Sequence, residues 1–445
     1  MAYELERRCV DCNRVGKSAA DVDSDADLQG PQDVLFAVPN PCEMVRTGFR
    51  ASLVLNVFWI PLAFQESALM AIAVPSALLA LAPRAYTATL AILATLVGIA
   101  TVAVPPLAGA LSDRMRERGE QRRALILIGA GIDVAALLAL AHAHSVVVLG
   151  VMLILATIGA NMSLAAYQAL LPDIFPRASW GAVSGVRGAA TLLGTLIGLS
   201  IAGSTDPGST FTANAVLIGI CAFTLFAVPE RRAAPDSEER AHVRDWHDFV
   251  VVFIGRAWVV FGLVLLSTYI LYFFHDILKV NNAAADTGLA AGASVVGAIL
   301  SSIWLGRLSD RVSRKKVVAL TGIPMTIGAV GFALLPDLRF IFAFALLFGF
   351  GYGGVLSTGW ALAIDSMPRM RDVARDLGIW GLASNFPGVI APAFGGWLLT
   401  HSGNTLGAYQ LLFAIAGASF AIGSLTVLLV RGYSPPASRP EASTS

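Results

Sequence analysis

Charge is what this sequence is short of. Only 14% of its 445 residues are Asp, Glu, Lys or Arg, while 56% are hydrophobic and the mean hydropathy is +0.70. A soluble chain carries about 25% charge, so most of this one must meet lipid rather than water. Cysteine is scarce as well, and four residues make no disulfide framework. Cys9 and Cys12 form a lone C-x-x-C in a polar stretch, with no second pair to complete tetrahedral zinc; Cys221 lies in an apolar run as a small hydrophobe. The apolar segments hold neither H-E-x-x-H nor G-x-S-x-G, nor any comparable constellation. The expectation is therefore a non-enzyme that uses no cofactor and no metal. A net charge of +1, dispersed among loops, offers nucleic acid no basic face.

What is present is a succession of apolar runs after a polar start. Residues 1–48 are rich in Asp and aperiodic. Asp21, Asp23, Asp25 and Asp27 alternate as in a calcium loop, but its turn glycine and distal Glu are missing. Gly16-Lys17-Ser18 lacks the earlier glycine of a phosphate loop. The stretch reads as a disordered tail without the apolar core of a cleavable signal, and Met44 is an alternative start. Twelve segments then approach the roughly 20 residues a spanning helix needs: 52–78, 86–108, 123–141, 145–170, 181–203, 211–229, 250–275, 287–306, 317–335, 340–364, 377–400 and 406–430. The polar stretch 230–249 divides them six plus six, and a polar tail occupies 431–445. The expected fold is an all-α polytopic membrane protein, with twelve transmembrane helices in two pseudo-symmetric six-helix halves, 49–229 and 250–430.

Basic residues orient the chain. The even-numbered loops hold Arg114, Arg116, Arg118, Arg122, Arg123, Arg177, Arg231, Arg232, Arg240, Arg244, Arg311, Arg314, Lys315, Lys316, Arg369, Arg371 and Arg375. The odd-numbered loops hold only Arg84, Lys279 and Arg339. Cytoplasmic loops carry the excess of Lys and Arg, so both termini are expected in the cytoplasm of a plasma-membrane protein. Two repeats tie the halves together. GALSDRMRERGEQRR at 109–123 is echoed by GRLSDRVSRKK at 306–316, and D-x-x-P-R at 173–177 by the same pattern at 365–369. Each D-x-x-P-R precedes a glycine-studded segment, with Gly181, Gly185, Gly188, Gly194 and Gly198 in one and Gly378, Gly381, Gly388, Gly395 and Gly396 in the other. Small residues let helices approach closely in lipid, which suits two halves that rock about a central site.

Ionisable residues within the spans cost about 2.5–3.5 kcal/mol each on insertion scales, so they should face a cavity or a partner. Glu66, Asp133 and Arg187 are the candidates for proton coupling. Glu66 lies near the middle of its span, on one helical face with Asn56, Trp59 and Ala63. A carboxyl that alternates between wet and dry surroundings can take up and release a proton. Arg187 has two readings, snorkelling to the surface or a central ion pair, and Asp133 has a structural one as well. Candidate binding residues are Asn56, Trp59, Gln65, Asn161, Gln168, Tyr269, Tyr272 and Asn385, since amides, phenols and Trp suit a hydroxyl-rich ligand. Asp276 and His275 lie near the end of their span, open either to solvent or to the site.

The paired G-x-L-x-D-R loops resemble the signature loop of the major facilitator superfamily. Arg116 to Arg123, Phe64-Gln65, LLPD at 170–173, YILYFFHDIL at 269–278 and DLGIWGLASNFPGVIAPAFGGWLL at 376–399 resemble the sucrose–proton and glycoside–pentoside–hexuronide:cation symporters. That resemblance implies proton-coupled uptake of a sugar or glycoside by a protein functional as a monomer, with substrate, protons and bilayer as partners. Gln168 stands where sucrose symporters place an arginine, which points away from sucrose itself. The second span lacks the aspartate pair used for sodium, which favours protons. The superfamily's loops also imply a cytoplasmic gate: Asp113 facing the eleventh span near 377–378, Asp310 facing the fifth near 181–184, Arg114 paired with Asp173, and Arg311 with Asp365. An exporter of a drug-like metabolite and a non-transporting sensor are the alternatives. A relative of the drug-antiporter motif occurs at 388–396, in the eleventh segment rather than the fifth.

Overall fold

The computed structural model describes residues 52–118, 121–174, 180–227, 246–309, 312–366 and 381–431, so the expected tails and most of the expected linker lie outside it. The described chain is helical throughout. We number the helices α1 (Ser52–Leu81), α2 (Tyr86–Glu117), α3 (Arg122–Ala141), α4 (Val146–Ile174), α5 (Trp180–Ser204), α6 (Pro207–Phe223), α7 (Trp246–Leu278), α8 (Ala283–Ser309), α9 (Arg314–Leu334), α10 (Leu338–Ser366), α11 (Pro387–His401) and α12 (Leu406–Thr426). Ten of them, all but α6 and α11, are long and apolar enough to cross a membrane, which makes the chain a multi-pass membrane protein. A further helical stretch at 381–385 leads into α11.

Hydropathy locates the helices but not their ends. The second apolar segment was expected to stop at 108, yet α2 runs through Pro105 and Pro106 to Glu117 and carries Asp113 beyond the apolar stretch. Prolines persist inside membrane helices because neighbouring groups satisfy the carbonyls they free. Two helices contain a π-helical turn, Leu69–Ala73 in α1 and Phe274–Leu278 in α7, the second ending at Lys279 with φ 50°. Each π turn inserts one residue into the ladder and re-aims the side chains beyond it. At the start of α6, Asp206 accepts from the Ser209 N–H at 2.9 Å and its Oγ at 2.6 Å, and these bonds hold its carboxyl below the ordinary range.

The packing repeats itself. In the first half α1 packs on α5 and α6, α2 and α3 on α4, and α3 on α6; in the second, α7 packs on α11 and α12, α8 and α9 on α10, and α9 on α12. Adding six to each number turns one set into the other. The seams between halves obey the same rule: α2 meets α11, and α5 meets α8. Their close approaches among the described residues lie towards the end of the bundle that carries the α1–α2 turn. A Cβ on Gly288 would come 3.0 Å from the Leu199 carbonyl, and one on Gly98 would come 2.6 Å from that of Gly388.

Glycine sets the approach of α5 to α1. A Cβ on Gly194 would run into the Ile60 carbonyl of α1, whereas one on Gly188, two turns earlier, meets nothing within 4 Å. Gly194→Ala is therefore expected to cost about 1–3 kcal/mol by overpacking, while Gly188→Ala should be neutral or slightly stabilising. Thermal unfolding of the two purified variants checks this. Equal melting temperatures would mean that α5 does not press on α1 at Gly194.

Candidate functional site

The α1 stripe Trp59, Ala63, Glu66 recurs every three to four residues, so it occupies one face. Trp59 and Ala63 are buried, while Glu66 is surrounded by protein yet keeps accessible surface. A mid-span carboxylate in that position faces a cavity rather than lipid. Arg187, brought in by α5, lies over the Trp59 ring with its guanidinium carbon 4.0 Å from the ring centroid, a cation–π contact. Tyr167 of α4 braces the same indole edge-on, with centroids 5.9 Å apart, and donates from its hydroxyl to the Leu55 carbonyl at 3.1 Å. Arg187 thus rests on the Trp59 ring, and the expected central ion pair does not form among the described residues.

The second half answers with Arg256 of α7 and Tyr352 of α10. Both Arg187 and Arg256 act electrostatically on Glu66, and Tyr352 feels Glu66 and Arg256 together. Four helices from the two halves therefore converge on one space. Within it the charges do not touch: among the described residues neither arginine forms an ion pair with Glu66. Arg256 donates its Nε to Ser384 Oγ at 3.3 Å, and Asn385 is the next residue in sequence. The terminal nitrogens of Arg256, and the whole Arg187 fork, have no hydrogen-bond acceptor among the described residues. Phe348 stacks on Tyr352 with rings 9° from parallel and fixes that wall.

Beside Glu66, Gln65 points the other way, into the first half. Its Nε2 donates to Asp133 Oδ1 at 3.0 Å and its Oε1 accepts from Asn214 Nδ2 at 3.3 Å, joining α1, α3 and α6. Asp133 is 1% exposed, so it touches the cavity through Gln65 and not directly. Adjacent α1 residues thus connect the cavity carboxylate to a buried one.

Other expected binding residues are distributed differently. Asn161 is half-buried and donates to the Thr157 carbonyl of its own helix, and Gln168 is exposed further along α4. Asn56 is fully buried against Ser52 and Tyr167. Tyr269 and Tyr272 share the expected face but retain no accessible surface. Tyr269 donates to the Pro392 carbonyl and ties α7 to α11, and Tyr272 packs edge-on against Tyr86 with centroids 4.7 Å apart. Helical spacing puts both on one face; it could not tell that α11 and α2 cover it.

Asp276 has partners rather than solvent. Tyr86 of α2 donates to its Oδ1 at 2.7 Å, Tyr409 of α12 to its Oδ2 at 2.7 Å, and His275 Nδ1 lies 2.7 Å from Oδ1. Asn404, at φ 53° after Gly403 at φ 67°, donates to Tyr86 and to Thr87 Oγ1 at 3.2 and 3.0 Å. This cluster clasps the two halves at the end bearing the α1–α2 turn. At the opposite end, Asp113 is exposed and pairs with Arg122 of its own half at 2.8 Å, while Arg114 is exposed. The expected partners of the gate, namely Asp310, Arg311 and the side chains of Asp173 and Asp365, lie outside the described residues, as does 377–378. Among the described residues no three His, Cys, Asp or Glu gather as metal ligands.

Arg256 and Tyr352 escaped the sequence reading. Arg256 sits alone within the apolar run of α7, and the same rule that singled out Arg187, a charge inside a span, applies to it as well.

The family model of the Major Facilitator Superfamily matches residues 61–284 and, in a second match, 276–445. Among curated proteins, the "Niacin transporter NiaP" of Acinetobacter baylyi is 27% identical over 149 residues, which are 32% of this chain and 33% of that one. The "Gentisate transporter" of Corynebacterium glutamicum is 27% identical over 121 residues, 27% and 26% of the two chains. The similarity thus spans about a third or less of these relatives' length. Among solved structures, the nucleoside transporter NupG superposes with TM-score 0.63 at 13% identity, over 86% of this chain and 100% of its own. A bacterial homologue of the lysosomal transporter Spinster superposes with TM-score 0.60 at 14% identity, over 88% and 99%.

Proposed function

Because the chain belongs to the major facilitator superfamily, we propose that it is a proton-coupled secondary transporter, which carries a small polar solute by alternating access between two six-helix halves. The observation that carries this reading is Glu66, deep in α1 yet accessible, facing Arg187 of its own half and Arg256 of the other. A titratable group at the seam between halves can be occupied from one side and released to the other as the halves rock. The sugar or glycoside implied by the sequence resemblance would find a flat wall in Trp59 and hydrogen-bonding amides in Asn161 and Asn385. Two relatives bear the names of niacin and gentisate transport, which keeps ring-bearing solutes in the same test. Uptake into proteoliposomes under an imposed pH gradient is the experiment. Accumulation that collapses with a protonophore supports the reading, and accumulation indifferent to the gradient refutes proton coupling.

The Lys and Arg asymmetry puts both termini in the cytoplasm and the α1–α2 turn outside. In that orientation the Asp276 clasp is an outer gate, and the structure corresponds to a state closed outside. We expect single cysteines at Arg118 and Asp337, in a background without Cys9, Cys12, Cys42 and Cys221, to label from opposite sides of the membrane. Arg118→Cys should react only from inside and Asp337→Cys only from outside. Labelling of Arg118→Cys in intact cells by an impermeant reagent would reverse the topology.

A further inference from the structure

We infer that the substrate presents a carboxylate, which the Arg187 and Arg256 guanidinium groups receive; this rests on the central cavity being the transport site. With Glu66 ionised, the two guanidiniums and one carboxylate leave the cavity with one positive charge in excess. Charge within a span is costly, and it is kept where a partner will arrive. Neither fork is satisfied by protein: Arg187 rests on an aromatic face, and Arg256 spends only its Nε on Ser384. A neutral polyol would leave that excess charge uncompensated. A carboxylate matches the planar fork in two parallel hydrogen bonds, which a hydroxyl does not. Trp59 under one arginine and Tyr352 near the other supply flat walls for the body of such a molecule, whether a ring or a hydroxylated chain.

The same arrangement gives Glu66 and the substrate a reason to interact. Both are anions seeking the same two cations, so a proton on Glu66 releases the guanidiniums to the incoming carboxylate. When substrate leaves, Glu66 gives up its proton and takes the cations back. A monocarboxylate then travels with one proton and no net charge crosses the membrane.

The test uses the full chain in lipid nanodiscs and pairs of probes alike in shape but different in charge: benzoate with benzamide, and gluconate with glucose. Thermal unfolding reads binding, because a ligand stabilises according to its concentration over its dissociation constant. At least one carboxylate is expected to raise the melting temperature in a saturable way, its neutral partner to have no effect, and quenching of tryptophan fluorescence, absent in Trp59→Phe, to follow the same curve. Arg187→Lys and Arg256→Lys, which keep the charge but lose the fork, should each weaken that carboxylate at least roughly tenfold. The inference is overturned if neutral partners stabilise equally, if neither carboxylate stabilises, or if the effect survives in an Arg187→Gln/Arg256→Gln double variant that elutes as a single species. Transport fails separately. Carboxylates that bind in nanodiscs but are never accumulated by proteoliposomes would refute the transporter reading and leave the anion site standing.

Discussion

Proteoliposomes carrying Glu66→Gln are expected to exchange solute across the membrane but never to concentrate it. Glutamine keeps the size and hydrogen-bonding reach of Glu66 and removes only its ability to lose a proton. One proton moving down two pH units releases about 2.7 kcal/mol at about 1.36 kcal/mol per unit, enough for roughly 100-fold accumulation. Without a titratable group in the cavity that work has no route to the solute, and the ratio should fall from roughly 100 to one. Exchange needs no net proton movement and should continue. Counterflow of labelled solute alongside net uptake distinguishes the two, and a variant that still accumulates solute with a normal pH dependence would clear Glu66 of coupling. Asp133→Asn offers the contrast. Asp133 reaches the cavity only through Gln65, so its loss should weaken uptake by a smaller factor.

A second large effect is expected at the clasp. The Tyr86 bond to Asp276 crosses from one half to the other, so it exists only while that end is closed. A hydrogen bond to a charged acceptor is worth about 1.5–3 kcal/mol, and losing it should move the equilibrium roughly 10–150-fold towards the state open at that end. Tyr86→Phe removes this bond and the Asn404 contact to the same hydroxyl. Asp276→Ala also removes the Tyr409 contact, and combining the two should add little to Asp276→Ala, because they act on one interaction. Paired spin labels at Arg84 and Asn282, both exposed and on opposite halves, report the opening. Distance distributions unchanged in both variants would dismiss the clasp as incidental.

The helices were legible because lipid imposes one requirement, about 20 apolar residues, that composition alone meets or fails. The depth of Glu66 and of Arg187 followed from their place within those runs. What the sequence hid was partnership. Asp276 sits at the end of its run, and nothing local reveals that a tyrosine 190 residues away will donate to it. Tyr269 and Tyr272 lie on the face their spacing indicated, but α11 and α2 cover it. The π turn of α7 re-aims Asp276 relative to that face, a shift of phase to which a 3.6-residue period is blind. Arg256 is legible in principle, as a charge inside an apolar run.

The position of the α2–α11 seam also makes the chain a lever. If the proposed rocking turns about the point where Gly98 meets Gly388, Asp113 lies 15 residues further along the same helix, about 22 Å at 1.5 Å per residue. A tilt of about 10° at that fulcrum swings Asp113 through roughly 4 Å, more than the length of a hydrogen bond. Small rotations where the glycines touch are thus geared up into making or breaking contacts at the far end of α2. The other arm, 12 residues long, carries the tyrosine clasp, so a bond broken there is answered by a stroke of similar size on the other side.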